Sequence, residues 1–234
     1  MKRTIVLSLF LAAIIGFLTG PARADSIVYG GTLLTQSSAN QLASWLGEGD
    51  LALTEIYSGS PGTPTAFHAA ADGKGRTFSV AQVQVGSGPA QLVGGYDPVS
   101  WSSSNVWNVN YTNAGRTAFI FNLSTSLLLR QQLDNIIGSY QTWNGSDSGP
   151  QFGDAIWLLY GSYAGGGVPG APWGYGSSTD VFGGTGGSNF SISQLEVYTI
   201  ADVTPVPEPS TGALTVTMLI GIGTVLWWRR SQHS

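Results

Sequence analysis

Two continuous apolar runs, TAFIFNL around Phe119 and DAIWLLYG around Trp157, are the features that most constrain the fold of this chain. Runs of this length without polar alternation are typical of buried central β-strands. FSISQLEVYTI, at residues 190–200, predicts a further strand with a slip of register near Gln194. The chain is therefore expected to have a β-sheet core.

TFSVAQVQV predicts another strand, which begins with Phe78 and Val80 on one face. The alternation slips at Ala81 and Gln82 before Val83, and such a slip suggests a β-bulge. This strand is therefore expected to be locally irregular.

The first of two predicted helices lies in SSANQLASWLGEG. Ser38 is a candidate N-cap, and Leu42 and Leu46 lie four residues apart on one face. Gly47 or Gly49 is expected to end the helix, because glycine adopts the left-handed conformation common at helix exits.

The second predicted helix lies in SPGTPTAFHAAADGKG. Thr63 is the expected N-cap, Pro64 suits the first helical position and Gly73 suits the exit. LALTEIYSG, between the two helices, is a candidate strand with Leu53 and Ile56 directed inward.

Residues 161–187 are predicted to be a loop, because eleven of these 27 residues are glycine and two are proline. Trp173 and Tyr175 lie in this segment. They either pack onto the sheet or form an aromatic platform for a sugar or peptide, and the packing interpretation is favoured because most large aromatic residues are packing residues. TSLLLRQQLDNII is compatible with a helix or a strand.

The charge of the folded part excludes nucleic-acid binding. Residues 25–204 contain four Lys or Arg and twelve Asp or Glu residues, which gives a net charge of −8. Nucleic-acid binding needs a basic face that displaces phosphate counterions, and none is present. The chain has no cysteine, so disulfides and thiolate zinc sites are excluded.

AFHAAADGKGRTFSV holds one of the two histidines and a lysine between two glycines. A phosphate-binding P-loop needs Ser or Thr after the lysine and a strand-to-helix turn, whereas Arg76 follows here and the turn runs from helix to strand. Gly73 and Gly75 are typical of a helix exit, and Lys74 suits the negative end of the helix dipole. His68 is expected to be a packed or capping residue.

Asp147 and Asp154 flank the segment SGPQFG. They could help to hold a calcium ion, but the spaced acidic pattern of a calcium loop is absent. Solvation of a loop is the favoured interpretation, and no metal or cofactor is predicted.

The order of these segments resembles a TLDc domain. LASWL, LTEIYSGSPGTPTAFHAAADGKGRTFSV, LVGGYDPVSW, TAFIFNL, GPQFGDAIWLLY and FSISQLEVYTI are similar to the family's successive segments and occur in the family's order. The resemblance covers residues 32–200. Residues 124–143 match poorly, and the segment after Tyr160 is unusually rich in glycine.

The resemblance implies a mainly β (α+β) fold, a β-sandwich of antiparallel strands with two short flanking helices. The family is best known from cytosolic eukaryotic proteins associated with oxidation resistance, some of which bind the vacuolar-type proton-pumping ATPase. An exported chain would not meet that partner. The family has no established catalytic residues that could be carried over to this sequence.

The N-terminus has the layout of a secretory signal peptide. Lys2 and Arg3 precede a short apolar run, and Ala22 and Ala24 form a small-x-small cleavage site. The sequence thus divides into a signal peptide at 1–24, a folded domain at 25–203 and a C-terminal signal at 204–234.

The C-terminus predicts a single membrane span. Nineteen uncharged, mostly apolar residues run from Ser210 to Trp228, and Arg229 and Arg230 follow as expected of a cytoplasmic anchor. A permanent tail anchor is one interpretation of this segment.

The same segment resembles the PEP-CTERM sorting signal, with Pro207, Glu208 and Pro209 before the span and basic Arg229 and Arg230 after it. The resemblance implies recognition by an exosortase in the inner membrane of a Gram-negative bacterium. Cleavage near Pro207 would leave the domain at the cell surface or in the extracellular matrix.

Taken together, the sequence predicts an exported TLDc-like binding or structural protein associated with exopolysaccharide or biofilm matrix. Its expected partners are a signal peptidase, an exosortase-type processing enzyme and the membrane, and exopolysaccharide is a candidate partner. Two alternatives stay open. One is an extracellular enzyme with oxidative-protection or hydrolytic chemistry, and the other is a lectin-like module that uses Trp173 and Tyr175.

Overall fold

The computed structural model describes residues 25–160, 163–167, 174–176, 181–182 and 189–203. The helices in these ranges are α1 Gln36–Leu46 and α2 Pro64–Ala71. The strands are β1 Ile27–Tyr29, β2 Leu51–Gly59, β3 Thr77–Gln84, β4 Gln91–Asp97, β5 Trp107–Val109, β6 Phe119–Asn122, β7 Leu127–Arg130, β8 Tyr140–Trp143, β9 Gln151–Phe152, β10 Ile156–Tyr160, β11 Tyr163–Gly166 and β12 Asn189–Asp202. The predicted mainly β chain with two short helices is confirmed.

The strands form two sheets that share β12. The first sheet has the order β1-β2-β12-β3-β4-β6-β7, and the second has the order β5-β8-β9-β10-β11-β12. The pairs are antiparallel except for β1 with β2. Asn189 and Phe190 pair with β11, whereas the rest of β12 pairs with β3 and β2. One long strand therefore links the two sheets.

The two sheets pack face to face in the manner of a β-sandwich. Val83 and Val93 from the first sheet belong to the same buried cluster as Phe152 and Ile156 from the second. A Cβ atom added to Gly95 would lie 2.6 Å from the Phe152 ring, so a glycine on β4 allows the sheets to approach closely.

Helix α1 covers the outer face of the first sheet. Leu42 is fully buried and belongs to a second cluster with Phe78, Val80 and Phe119. The first sheet is therefore buried on both faces, by the helix on one side and by the second sheet on the other. This explains why its central strands have apolar residues at consecutive positions.

The bulge predicted in β3 is wrong. β3 pairs with β4 in unbroken register from Thr77 to Val83. The alternation of apolar and polar residues along β3 is broken because Phe78 and Val80 face α1 while Ala81 faces the second sheet. Apolar residues occupy both faces of β3, which itself holds no extra residue; the irregularity of pairing at Gln82 and Val83 comes from β12, where Ser193 is the extra residue. The slip predicted near Gln194 is confirmed, since the β12 register with β3 shifts between Ile192 and Gln194.

The N-cap of α1 is Thr35 rather than the predicted Ser38. The Thr35 hydroxyl accepts a hydrogen bond from the Ser38 backbone N–H, so Ser38 lies inside the first turn. Gly47 ends the helix in the left-handed conformation, as predicted. In α2, Thr63 caps the helix and Pro64 takes its first position, again as predicted.

The structure decides the conformation of one ambiguous segment and places a strand in a segment predicted to be loop. The ambiguous TSLLLRQQLDNII contributes strand β7 and then a 3₁₀ turn at Ile137–Ser139, so the strand interpretation applies to its first half. Strand β11 lies within residues 161–187, which were predicted to be loop throughout. Pairing with β10 and β12 holds this glycine-rich stretch in an extended form.

The predicted signal peptide at 1–24 and C-terminal signal at 204–234 lie outside the described residues. Within the described ranges, neither helix has the length and hydropathy that a membrane span needs.

Candidate functional site

A row of large side chains crosses the second sheet from strand to strand. Trp107 on β5 pairs with Trp143 on β8, Trp143 pairs with Gln151 on β9, and Gln151 pairs with Trp157 on β10. Directly paired residues of neighbouring strands point to the same face of a sheet. Three indoles and one amide therefore stand in a line on one face.

This row forms one wall of a cleft of about 570 Å³. Asn105, Asp147 and Asp154 also line it. A neighbouring cavity of about 220 Å³ is lined by Tyr140 and Gly153 and shares Trp107 and Asp154 with the first cavity. The shared residues indicate that the two cavities adjoin.

The aromatic rings of the cleft support one another. The centroids of Trp107 and Trp143 lie 5.2 Å apart with the ring planes tilted by 52°, and Trp107 and Tyr140 lie 5.6 Å apart, edge to face. Trp107, Trp143 and Trp157 are all half-buried. The indoles of Trp107 and Trp143 are thus held by neighbouring rings, while part of the surface of all three tryptophans stays accessible.

The buried layer beneath the row holds it in place. Phe152 and Ile156, next to the row residues on β9 and β10, are fully buried against the first sheet. A Cβ atom on Gly145 would lie 2.2 Å from Trp143 Nε1, so only a glycine fits at that position beside the indole.

Gln151 has an unusual environment for a polar side chain. It is 7 % exposed, its Nε2 donates to the Gly153 carbonyl at 3.2 Å, and its Oε1 has no hydrogen-bond partner. Buried polar atoms are normally hydrogen-bonded, because an unpaired one costs free energy. Gln151 also lines the cleft, so a residue with an unsatisfied buried acceptor belongs to the cleft wall.

The two carboxylates of the cleft lie in different environments. Asp147 is exposed, whereas Asp154 is half-buried and lies 3.5 Å from the Gln151 Nε2. Burial raises the pKa of Asp154 above its usual range. Both carboxylates face a space that is also lined with aromatic rings.

No basic side chain lines the cleft among the described residues. The Arg76 guanidinium pairs with Glu48 and Asp202, and Arg116 and Arg130 donate to backbone carbonyls elsewhere. The cleft therefore has a negative electrostatic potential that no cation of its lining offsets.

The turn that carries Asp147 is held from two sides. His68 Nδ1 lies 2.7 Å from Asp72 Oδ1, and His68 Nε2 lies 2.8 Å from the Gly145 carbonyl oxygen and 3.0 Å from that of Ser148. From the other side, Asn105 Oδ1 accepts from the Ser146 N–H. The turn is consequently fixed to α2 and to the segment before β5.

His68 is 7 % exposed, which confirms the prediction that it is a packed residue. Each of its ring nitrogens faces an acceptor, so neither is directed at a hydroxyl nucleophile. Gly73 and Gly75 have φ angles of 72° and 82°, as expected of the helix exit predicted there. The segment Gly73-Lys74-Gly75 is therefore a turn and not a phosphate loop.

The other site residues predicted from the sequence do not line the cleft as the structure describes it. Tyr175 is buried, and its hydroxyl donates to the Gln141 carbonyl at 2.6 Å, so this ring packs between the sheets. Trp173 lies outside the described residues. So do the processing and sorting residues Ala22, Ala24, Pro207, Glu208, Pro209, Arg229 and Arg230. The described ranges contain no group of three side chains that could bind a metal ion.

Sequence reasoning missed the tryptophan row. The sequence predicts Trp157 only as part of a buried strand, and Trp107 and Trp143 belong to no motif. Asp147 and Asp154 were paired as neighbours of SGPQFG, and the structure brings both to the same cleft. The density of tryptophan in residues 101–157 was the one available signal.

Comparison with known proteins identifies no relative: no family model matches the chain, and no curated protein matches it.

Proposed function

We propose that this chain is an exported protein of the cell surface or extracellular matrix, and that its TLDc-like domain binds a saccharide in the tryptophan-lined cleft. The observation that carries the proposal is the row of Trp107, Trp143 and Trp157 on neighbouring strands, facing one cleft with Asp147 and Asp154. The TLDc-like segments, the signal peptide and the PEP-CTERM-like tail supply the rest.

The chemistry of the cleft suits a sugar. A pyranose ring has an apolar face of C–H groups, which packs on an indole, and a rim of hydroxyls, which need acceptors. Tryptophan provides a large, rigid surface with little loss of conformational freedom. Asp147 and Asp154 provide acceptors around that surface.

The setting expected from the sequence agrees with such a ligand. A domain that a signal peptidase and an exosortase deliver to the matrix would meet exopolysaccharide there. The net charge of −8 in residues 25–204 disfavours anionic lipid surfaces and nucleic acid.

Binding of oligosaccharides to the full-length protein in detergent tests the proposal. A panel of hexasaccharides with neutral, cationic and anionic rings is titrated while tryptophan fluorescence is recorded. We expect a change in fluorescence with at least one hexasaccharide. Trp143→Ala should weaken binding at least about tenfold, since central tryptophans of binding sites typically contribute about 2 kcal/mol or more.

Trp45 provides a matched control. It is also half-buried, but it lies on α1 and packs on Phe121, away from the cleft. Trp45→Ala should leave the affinity unchanged. If no hexasaccharide binds, or if both substitutions weaken binding equally, the proposed site is refuted.

Hydrolysis of the bound saccharide is a second candidate function. The half-buried Asp154, with its raised pKa, and the exposed Asp147 resemble the acid and base pair of glycosidases, in which two carboxylates differ in environment. New reducing ends, released by the wild-type protein and not by Asp154→Asn, would support it. Binding without any release supports the binding function alone.

A further inference from the structure

If the cleft binds a saccharide as proposed, its lining also determines the class of saccharide. We infer that the cleft selects glycans with protonated amino groups, such as an oligomer of glucosamine, over neutral and acidic glycans. The juxtaposition that carries the inference is two carboxylates and an unpaired buried acceptor beside three indoles, with no basic side chain among the described residues of the lining.

The charge of the cleft excludes acidic glycans. Asp147 and Asp154 face the cleft, and no lysine or arginine of the described residues lines it. A uronate or sulfated ring would place its anion next to two carboxylates, and like charges at close range disfavour binding. An ammonium group finds the opposite charge at the same positions.

The indoles add to this preference. The face of an indole attracts a cation through the ring quadrupole, and tryptophan is the strongest of the aromatic side chains in this respect. A protonated amino sugar can therefore place its ring C–H groups and its ammonium group against the same tryptophan wall.

Gln151 supplies an independent reason to expect a donor-rich ligand. Gln151 lines the cleft and is 7 % exposed, and its buried Oε1 has no hydrogen-bond partner among the described residues. An ammonium group carries three donors, so a group paired with the neighbouring Asp154 carboxylate keeps donors for a second acceptor of the lining.

The length of the row indicates an oligomer. From β5 to β10 the row crosses three inter-strand spacings, or about 14 Å at the usual distance between strands. The adjoining cavity at Tyr140 enlarges the site. Several sugar rings rather than one would be needed to contact all three indoles.

The experiment compares three hexasaccharides on the full-length protein in detergent, at pH 6 and low salt. They are hexaglucosamine, its N-acetylated form and hexagalacturonate, so the first two share a backbone and differ in charge. We expect hexaglucosamine to bind at least about tenfold more tightly than the acetylated form, and added salt to reduce the difference.

Asp147→Asn and Asp154→Asn should each reduce the preference for the amino form, measured as the ratio of the affinities for hexaglucosamine and its acetylated form. Asp202→Asn is the matched control, because it removes one negative charge from a side chain 76 % exposed that pairs with Arg76 outside the cleft. It should leave the preference intact.

The outcomes separate this inference from the proposed function. Equal binding of both glucosamine forms overturns the inference and leaves saccharide binding standing. Preferred binding of hexagalacturonate also overturns it. Equally tight binding of oligolysine would show that charge alone is recognised, which overturns both, and so would a failure of every hexasaccharide to bind.

Discussion

Asp97 and Glu196 are both fully buried carboxylates, but their surroundings differ. Glu196 accepts hydrogen bonds from the Thr32 and Leu33 backbone N–H groups at 2.9 and 3.0 Å and from the Tyr198 hydroxyl, so donors surround its charge. Asp97 Oδ1 accepts from the Val99 N–H at 3.2 Å, while Oδ2 has no hydrogen-bond partner. Only Glu196 has donors enough to compensate an ionised carboxylate.

Burial raises the pKa of Asp97 to about 8, and the Val99 N–H and the nearby Thr142 hydroxyl act in the opposite direction without offsetting it. The folded protein then holds a proton that the unfolded chain releases near pH 4. The stability contributed by this proton is complete below about pH 4 and is lost as pH rises to about 8.

We therefore predict that Asp97→Asn flattens the dependence of the melting temperature on pH. In the wild type, the free energy of unfolding should fall by up to about 1.4 kcal/mol for each pH unit between 4 and 8 because of Asp97. Asparagine keeps the shape and the donor of the protonated acid and does not titrate. Thermal melts from pH 4 to 9 measure this. The exposed control Asp202→Asn should keep the wild-type slope, and equal slopes in all three proteins would refute the assignment.

At the scale of single elements, the position of the N-cap decides where α1 begins. Thr35 Oγ1 accepts from the Ser38 N–H at 3.1 Å, and the two hydroxyls lie 3.0 Å apart. Both residue types are good N-caps, and the sequence alone does not distinguish them. The extended backbone of Thr35 places it just outside the helix and makes it the cap.

Replacement of the cap should therefore cost more than replacement of its neighbour. Thr35→Ala removes the acceptor of an orphan backbone N–H and is expected to lower the free energy of unfolding by about 1 kcal/mol. Ser38→Ala removes a half-buried hydroxyl that does not cap a backbone N–H, and it should change this free energy by less than about 0.5 kcal/mol. Urea unfolding of both variants tests this, and a larger effect of Ser38→Ala would restore Ser38 as the cap.

At the scale of the whole molecule, the layers explain where a ligand can bind. Helix α1 covers the outer face of the first sheet, and the second sheet covers the inner face. The tryptophan row lies on the face of the second sheet that points away from this sandwich core. This face carries an open cleft among large side chains, where a ligand can bind.

The fate of the C-terminal segment is also a property of the whole chain. A permanent anchor needs only length and hydrophobicity, whereas the sequence predicts that Pro207 and Pro209 hold Glu208 in an extended, accessible site before the predicted span. We predict that the mature protein in its native host lacks everything beyond about Pro209. Mass spectrometry of the surface fraction tests this. Mature chains that still contain Trp227 and Trp228 would refute it.

A variant in which these three residues are all alanine is the control for processing. It keeps the span and the basic tail, so it should stay in the inner membrane at full length. Release of this variant at the wild-type rate would show that the tripeptide is not the processing signal.

The local features of the fold were determined by the sequence itself. Thr63 and Pro64 at the start of α2, Gly47 at the end of α1 and the slip of β12 near Gln194 depend on neighbours within a few residues. Caps, glycine conformations and short-range alternation are properties of the local chain, so they can be predicted without knowledge of the partners.

The burial of β3 and the cleft were decided only by the tertiary structure. β3 looked irregular because its two faces meet different layers, and no local pattern specifies a second layer. Trp107, Trp143 and Trp157 are separated by up to 50 residues, and they align because three strand pairings set one register across the sheet. Register between distant strands depends on long-range packing and on the turns that join them, so the sequence specified the side chains and the pairing of strands made them a site.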